Sequence, residues 1–369
     1  MILLMQFDLI HLIPVKIIRI KLNTFLPFHA VLRNTARYIK LIPALSIFCC
    51  FVLPGRSIAG TITLKRQHVI AADTLADSIL YKKRNINNVF DDIYKQNLRV
   101  SEGGNDYFNK IKTQLTADLA PNFVLFSTPK SRFFAVFTPR VKLRLLASRG
   151  APVKSPSFMP GATVFFRVNE DTYKPKFFSF GYSHHSNGVR GPSLNPDGSF
   201  NRDSGKFTTN FYTLTYYTGK RTDKDGLIIN RYDNLALEVH AGLFGLGVSE
   251  GLKDHYGFIR INGSRMYNLA KAYDDPLEKG KKTYKNWQRI RFDFAYIADK
   301  YDNYSAVDFK KRLNVSLKYY YQFPFMQSAA LMVGGGYRGQ DDYNQFFEDS
   351  YGYITIGVAS DLSFNFGKH

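Results

Sequence analysis

The sequence is poor in cysteine and tryptophan: its 369 residues include two cysteines and one tryptophan. Both cysteines, Cys49 and Cys50, lie in an apolar stretch near the amino terminus. If that stretch is removed on export, the exported chain carries neither a thiol nor a disulfide. We therefore expect no disulfide-stabilised scaffold in the exported chain.

The chain also lacks a long apolar run. Residues 41–54 (LIPALSIFCCFVLP) supply about 14 apolar positions, whereas a membrane-spanning helix needs about 20. Basic residues (Arg33, Arg37 and Lys40) precede this run, and small residues (Ser57 and Ala59) follow it. This order predicts a secretory signal peptide over residues 1–59. An uncleaved membrane helix is the weaker alternative.

The chain has fewer acidic than basic residues: it contains 30 aspartates and glutamates and 50 lysines and arginines, which gives a net charge of +20. The basic residues are scattered singly, without a basic helix or a nucleic-acid-binding motif. We therefore predict no nucleic-acid partner. For an exported chain, contact with anionic lipid or lipopolysaccharide explains the charge better.

What the sequence does contain is aromatic residues, 15% of the chain, and alternating patterns of apolar and polar positions. A polar extension, partly helical or disordered, is expected over residues 60–108, with a short helix near 87–98 and no assignable role. Alternation begins near Asn109. The candidate strands are 112–126, 132–146, 162–168, 177–186, 207–218, 227–230 with 234–246, 256–262, 287–298, 309–323, 329–339 and 351–366.

Ten to twelve such strands without a long apolar helix predict an all-β fold. We expect a transmembrane antiparallel β-barrel of about 12 strands over residues 109–369. Aromatic residues within the strands and at their ends agree with the girdles of such barrels. A soluble β-sandwich or lipocalin-like barrel is the alternative.

The strands 177–186 and 207–218 carry the most informative pattern. Because strand side chains alternate between two faces, antiparallel pairing of His184 with Asn210 would place Tyr182 opposite Tyr212. The shared face would then be apolar along its length, with polar residues at its loop end. Such a face suits an enzyme that acts on lipid.

His184 and Ser186 would lie on one face with Cα atoms about 6.5 Å apart. The imidazole could then accept the Ser186 hydroxyl proton, while Asn210 across the ladder holds the other ring nitrogen. The alternative is an ordinary histidine and serine at a strand end. His185 faces the opposite side, so the two adjacent histidines cannot share one metal ion.

These residues resemble a known family. The segment GYSHHSNG (181–188) is similar to the active-site strand of outer membrane phospholipase A, with its His-x-Ser-Asn-Gly pattern. Two later segments, GGGYRGQDDYN (334–344) and YGYITIGVASDL (351–362), resemble the last two strands of that family. The resemblance covers residues 109–366, with weak identity between these anchors.

The resemblance implies that Ser186 is the nucleophile, His184 the base, and the Gly188 amide part of the oxyanion hole. The third member is an asparagine about a dozen positions after the serine, where this sequence departs from the pattern. Asn201 matches better locally, but pairing it with His184 would turn Asp203 towards lipid. We therefore choose Asn210 and keep Asn201 as the alternative.

The resemblance further implies calcium, with the Val189 carbonyl and the Ser193 hydroxyl as the nearest positional matches for its ligands. It also implies a homodimer in the outer membrane of a Gram-negative bacterium, with phospholipid as substrate. The implied enzyme is a phospholipase A, a carboxylic ester hydrolase acting on 1-acyl and 2-acyl esters. The alternative is a non-enzymatic outer-membrane barrel, either a porin-like transporter or a structural barrel.

Overall fold

Alternating side chains organise this chain around one closed sheet. The computed structural model describes residues 67–127, 131–150, 152–242, 247–274, 282–323, 325–326 and 328–366. In chain order the strands are β1 (Ser101–Tyr107), β2 (Thr113–Leu119), β3 (Asn122–Ser127), β4 (Phe133–Leu146), β5 (Ser157–Arg167), β6 (Lys176–Ser186), β7 (Thr208–Lys224), β8 (Leu227–His240), β9 (Ile259–Asp274), β10 (Lys282–Ile297), β11 (Leu313–Tyr321), β12 (Ala329–Arg338), β13 (Tyr351–Ser360) and β14 (Ser363–Asn365). Within the described residues, two α-helices accompany them, α1 (Gln67–Gln96) and α2 (Phe309–Arg312), together with two short 3-10 helices, Glu250–Leu252 and Asn344–Phe346.

The sheet closes because β4 pairs with both β2 and β5, and β1 pairs with β13. A ring of 12 antiparallel strands results, containing every strand except β3 and β14. Those two strands pair in parallel and extend the wall at one end, where Phe364 stacks on Phe123 with ring centroids 5.2 Å apart. The expected barrel of about 12 strands is confirmed.

The barrel has an apolar exterior because every second strand residue points outward. On β6 the outward Phe180 is 46% exposed, whereas the inward Phe177 is 0% exposed. The same alternation runs along β13, where Ile354, Ile356 and Val358 are exposed. A closed barrel pairs its backbone groups between strands and can face lipid. The protein is therefore a multi-pass transmembrane β-barrel of the outer-membrane type.

The two ends of the barrel differ in loop length. The connections after β5 (168–175) and β7 (225–226) are short, whereas those after β6 (187–207), β10 (298–312) and β12 (339–350) are long. Outer-membrane barrels have short periplasmic turns and longer extracellular loops. We therefore assign the long loops to the extracellular end. Among the described helices, none is long and apolar enough to cross a membrane.

Helix α1 closes the periplasmic end of the lumen. Its residues 76–85 are exposed, but Phe90 and Tyr94 are buried among inward-facing strand residues. The Tyr94 ring lies 5.2 Å from that of Phe134 and 5.3 Å from that of Phe177, measured between centroids. Arg167 donates a hydrogen bond of 2.6 Å to Asn87 of the helix. The extension for which no role was predicted therefore includes a plug.

Ion pairs lie within the lumen of the barrel. Arg140 donates to both oxygens of Asp118, at 2.7 and 2.6 Å, and Arg144 donates to both oxygens of Asp341, at 2.6 and 2.9 Å. A cavity of about 400 Å³ remains among these charged side chains. The lumen is thus polar and largely filled.

The structure departs from the sequence expectations in the first third of the chain. Helix α1 extends over Gln67–Gln96, well beyond the short helix expected near 87–98. Strand β1 belongs to the barrel, so the barrel begins before the expected boundary at Asn109. The strand expected over 112–126 is broken at Ala120 and Pro121 into β2 and β3. The predicted signal peptide (1–59) lies outside the described residues.

Candidate active site at the outer rim

The candidate site lies at the extracellular end of the β6–β7 pair. The register places His184 opposite Asn210, Ser186 opposite Thr208, and Tyr182 opposite Tyr212. This is the pairing expected from the alternation. On the same outward face, the neighbouring apolar residues are exposed (Phe178, Phe180, Leu214 and Tyr216).

His184 and Asn210 are in direct contact. The Nδ1 atom of His184 lies 2.7 Å from Oδ1 of Asn210. Because an amide oxygen only accepts hydrogen bonds, this contact places the imidazole proton on Nδ1. The other ring nitrogen, Nε2, then carries a lone pair and can act as a base. Asn210 is 0% exposed, so water does not compete for its oxygen.

Ser186 lies two residues further along the same face and is half-buried. Its hydroxyl makes no hydrogen bond within the described residues, to His184 or to any other group. In enzymes without substrate, catalytic hydrogen bonds are often long and tighten when substrate binds. The arrangement therefore brings the serine and the base to one face and leaves the nucleophilic oxygen free.

The turn after Ser186 is fixed by Asn187, a residue that the sequence analysis did not single out. Its side chain is 3% exposed. It donates to the Gly205 carbonyl at 2.8 Å and accepts hydrogen bonds from the backbone N–H groups of Phe207, at 3.0 Å, and Val189, at 3.2 Å. Asn187 thus holds the beginning and the end of the long loop together.

Gly188 follows with φ of 69°, a left-handed conformation that favours glycine. The residue is exposed, and its N–H group donates no hydrogen bond within the described residues. An amide with no internal partner, two positions after the serine, is able to bind an oxyanion.

Asn201, the alternative third residue, has a different environment. Its Nδ2 donates to the Pro192 carbonyl and the Ser204 hydroxyl, and its Oδ1 accepts from the N–H groups of Asp203 and Ser204. These contacts stabilise a turn within the 187–207 loop. The structure therefore brings Asn210, and not Asn201, to His184.

Two further groups hold Asn210 in place. The Tyr182 hydroxyl donates a 3.1 Å hydrogen bond to Oδ1 of Asn210, the oxygen that His184 also contacts. The backbone carbonyl of Asn210 accepts a hydrogen bond of 2.9 Å from Ala241. The alternation places Tyr182 on this face, but it does not reveal the diagonal contact with Asn210.

The lumen side of the same strand carries a buried polar chain. The Thr209 hydroxyl lies 3.0 Å from Nδ1 of His240, and Nε2 of His240 lies 2.8 Å from the Glu238 carboxylate. Asn262 donates to the second oxygen of Glu238 at 2.9 Å. These contacts tie β7 to β8 and β9 directly behind the candidate site.

The two candidate calcium ligands lie in the 187–207 loop. Ser193 donates its hydroxyl proton to the Lys206 carbonyl at 2.9 Å, and its oxygen lone pairs remain available. The Val189 carbonyl accepts no hydrogen bond within the described residues. Neutral oxygens of this kind match the donor type that calcium prefers, but two ligands do not complete its coordination.

The two carboxylates of the 187–207 loop, Asp197 and Asp203, already have other partners. Asp197 accepts hydrogen bonds from the hydroxyl and the N–H group of Ser199, at 2.6 and 2.9 Å, and these bonds lower the pKa of Asp197. Asp203 lies 3.6 Å from the Lys154 ammonium group. Within the described residues, no cluster of three or more His, Cys, Asp or Glu side chains is placed to bind a metal ion.

The chain is similar to outer membrane phospholipase A. The structure of that protein from Escherichia coli has 10% identity, covers 71% of this chain and 89% of its own, and gives a TM-score of 0.40. The dimer of the Salmonella typhi outer membrane phospholipase with bound calcium has 10% identity, coverages of 71% and 89%, and a TM-score of 0.43.

An active-site mutant of the Escherichia coli outer membrane phospholipase A, with an asparagine replaced by alanine, is also similar. It has 10% identity, coverages of 71% and 90%, and a TM-score of 0.41. No protein-family profile matches the chain, and no curated protein sequence matches it.

Proposed function

We propose that this protein is a phospholipase A that hydrolyses acyl ester bonds of phospholipids in the outer membrane. Ser186 is the nucleophile, His184 is the general base, and Asn210 orients the imidazole. The observation that carries the proposal is the 2.7 Å contact between His184 and Asn210, on the lipid-facing side of the barrel and beside Ser186. A serine, a base and an orienting group in this order can transfer an acyl group.

The reaction begins with proton transfer within the triad. Asn210 keeps the imidazole proton on Nδ1, so Nε2 of His184 accepts the proton of the Ser186 hydroxyl. The Ser186 oxygen forms a bond to the ester carbonyl carbon. The N–H group of Gly188 donates to the resulting oxyanion, and its lack of an internal partner supports this role.

The tetrahedral intermediate then breaks its bond to the glycerol oxygen. His184 returns the proton to that oxygen, and the lysophospholipid leaves with the acyl group still bound to Ser186. Water attacks the acyl-enzyme with His184 again as the base, and the fatty acid is released. Exposed apolar residues beside the triad (Phe178, Phe180 and Leu214) can bind the acyl chain.

Val189 and Ser193 would hold a calcium ion near the oxyanion. A calcium ion held by these residues would supply positive charge to stabilise the oxyanion. Because only two neutral oxygens are at hand, the remaining ligands must come from water, the substrate or a second subunit. A homodimer formed through the β6–β7 face would enclose the acyl chain between two barrels.

The state of the lumen favours an enzyme over a porin-like transporter. The periplasmic end holds Tyr94 of α1 among aromatic rings, and buried hydrophobic residues from three extracellular loops pack at the other end (Phe200, Phe207, Leu252, Tyr256 and Phe347). A diffusion pore needs an open polar channel. A pore would not require the pairing of His184 with Asn210 beside Ser186.

The test is hydrolysis of phospholipid in mixed micelles by the full chain refolded in detergent. We expect Ser186→Ala to abolish fatty acid release and labelling by a serine-reactive fluorophosphonate. The matched control is Ser183→Ala on the same strand but with its side chain towards the lumen; this variant should retain both activities. Hydrolysis by the Ser186→Ala protein at the wild-type rate would refute the assignment.

Calcium and dimerisation are tested in the same micelles. We expect a chelator to reduce the rate, added calcium to restore it, and Ser193→Ala to raise the calcium concentration required. Chemical crosslinking with and without calcium then measures the dimer. An unchanged rate in the presence of the chelator would contradict the calcium proposal and leave the triad unaffected.

A further inference from the structure

Charged side chains on the outward face of the barrel are confined to one sector. Among the strand residues whose side chains the structure describes, outward charges occur on β6, β7, β8 and β9, in the parts of these strands nearest the periplasmic end. The outward positions of the remaining described strand residues are uncharged. The charged sector therefore lies on the same side of the barrel as the candidate active site, at the opposite end of the strands.

Four basic residues and one acidic residue form a continuous surface in this sector. The cross-strand register places Lys176, Asp233 and Arg265 in one row, and Lys220 beside Arg231 in the next row towards the periplasm. We call these five residues the basic patch. Its four cations and one carboxylate give it a formal charge of +3.

The carboxylate of Asp233 leaves most donors of the basic patch free. Its two oxygens lie 2.5 Å from Nε of Arg265 and 3.0 Å from Nε of Arg231. The terminal guanidinium nitrogens of both arginines donate no hydrogen bond within the described residues, and the ammonium groups of Lys176 and Lys220 have no partner there. The Arg265 side chain is 56% exposed. An anion at this surface would therefore find several unused N–H donors.

The basic patch lies at the depth expected for the inner edge of the hydrocarbon layer. Lys176 precedes His184 by eight residues on β6, which is about 27 Å along a strand. At the usual tilt of barrel strands this is about 20 Å along the membrane normal, close to the apolar band of about 25 Å in such barrels. The outward residues between the two levels are apolar and exposed (Phe178, Phe180, Leu214, Tyr216, Leu235 and Leu237). With His184 at the outer boundary, the basic patch meets the headgroups of the inner leaflet.

We propose that the basic patch binds the phosphate of an anionic phospholipid in the inner leaflet of the outer membrane. Guanidinium and ammonium groups are the side chains that bind phosphate best. Exposed Leu235 and Phe292 lie directly beside the patch on the hydrocarbon side, so the acyl chains of a bound lipid would cover them. A zwitterionic headgroup would add a cation next to four others, which favours an anionic lipid. The proposal does not depend on the hydrolase activity.

The first experiment measures lipid binding by native mass spectrometry of the full chain refolded in non-ionic detergent. Every sample carries Ser186→Ala, so that added lipid is not hydrolysed. We expect phosphatidylglycerol to bind at least roughly tenfold more tightly than phosphatidylcholine. The triple variant Lys176→Gln, Lys220→Gln, Arg265→Gln keeps Arg231 beside Asp233. It should lower the affinity for phosphatidylglycerol about 100-fold, since each cation contributes about fivefold.

Two matched variants control for total charge and for folding. Lys82→Gln, Lys83→Gln, Arg84→Gln removes the same charge from the exposed part of α1 and should bind phosphatidylglycerol like the parent protein.

The charge-retaining variant Lys176→Arg, Lys220→Arg, Arg265→Lys should also keep its affinity, because the cations are preserved. If the neutral triple variant does not refold, Lys220→Gln alone should lower the affinity about fivefold.

The other outcomes overturn the proposal. Equal affinity for the two lipids, or an equal loss in the patch and α1 variants, would mean that no specific site exists. If inorganic phosphate binds with the same dependence on the patch and displaces the lipid, the ligand is a free phosphate ion. If the patch variant loses dimers but keeps its lipid affinity, the surface binds a second copy of this chain. Absence of hydrolysis by the wild type would refute the enzyme alone.

Discussion

Thr209 and His240 are joined across the lumen face of β7 and β8, with 3.0 Å between the Thr209 hydroxyl and Nδ1 of His240. Thr209 immediately precedes Asn210 in the chain, so this buried contact lies directly behind the candidate triad. Asn210, in the lipid-facing site, and Thr209, which anchors the lumen face, are thus adjacent residues of one strand. Because adjacent strand residues face opposite sides, the anchor can fix the strand without contacting substrate.

We expect Thr209→Val to weaken the fold and the activity together. The change keeps the shape of the side chain but removes the hydroxyl and leaves a nitrogen of His240 unpaired. The free energy of unfolding in urea should fall by about 1–3 kcal/mol, the cost of an unsatisfied buried group. Thr213→Val, also inward on β7 and without a hydrogen bond in the described residues, should change stability and kcat little. Equal effects of the two variants would rule out an anchoring role for the contact between Thr209 and His240.

Two substitutions test whether Asn210 or Asn201 is the third member of the triad. Asn210→Ala removes the acceptor that fixes the tautomer of His184, and kcat should fall by roughly 100-fold or more, as for other triads that lose their orienting residue. Asn201→Ala breaks hydrogen bonds within a loop turn only, and kcat should stay within about threefold of the wild type. A larger loss from Asn201→Ala than from Asn210→Ala would reverse the assignment.

Tyr94 should be the main anchor of the helical plug. Its ring contacts three aromatic residues of the barrel wall (Phe134, Phe165 and Phe177). We expect Tyr94→Ala to lower the free energy of unfolding by about 3–5 kcal/mol, as for other large buried aromatic residues. Loosening of α1 should also increase ion conductance across planar bilayers. Tyr81→Ala on the same helix, where the side chain is 68% exposed, should alter neither property.

The sequence predicted the central strand pair because its alternation is long and its outward apolar residues are unambiguous. A slip of one residue would turn Phe178, Phe180 and Leu214 into the lumen. The alternation of side chains between the two faces therefore predicted that His184, Ser186 and Asn210 share a face. The same pattern could not show that Tyr182 reaches Asn210 or that Asn187 holds the loop, since both contacts depend on three-dimensional geometry.

Strand β1 was not predicted because it forms through its pairing with a neighbouring strand and not through a pattern in its own sequence. Strand β1 (SEGGNDY) has no apolar alternation of its own. Its Gly104 lies so close to β13 that an added Cβ would come within 2.2 Å of the Ile356 carbonyl oxygen. Likewise, α1 buries Phe90, Ile93 and Tyr94 in its last turns, which pack in the lumen, whereas its residues 76–85 are exposed. Both elements are explained by the closed barrel around them.

Arg144 and Asp341 should contribute to stability without contributing to catalysis. The pair joins β4 to the 339–350 loop by two hydrogen bonds, and Arg144 also lies over the Tyr343 ring, 4.7 Å from its centroid. Both side chains are almost completely buried, at 6% and 0% exposure. Removing one partner of such a pair costs about 3–5 kcal/mol, because the other charge is left buried and unpaired.

We therefore expect Asp341→Ala to lower the free energy of unfolding in urea by about 3–5 kcal/mol. The double variant Arg144→Met with Asp341→Leu should lose less than Asp341→Ala alone, because it leaves no buried charge. Hydrolysis by the folded fraction of each variant should stay close to the wild-type rate, since neither residue contacts the β6–β7 site. A double variant less stable than the single one would mean that the ion pair itself, and not the avoidance of an unpaired charge, stabilises this end of the barrel.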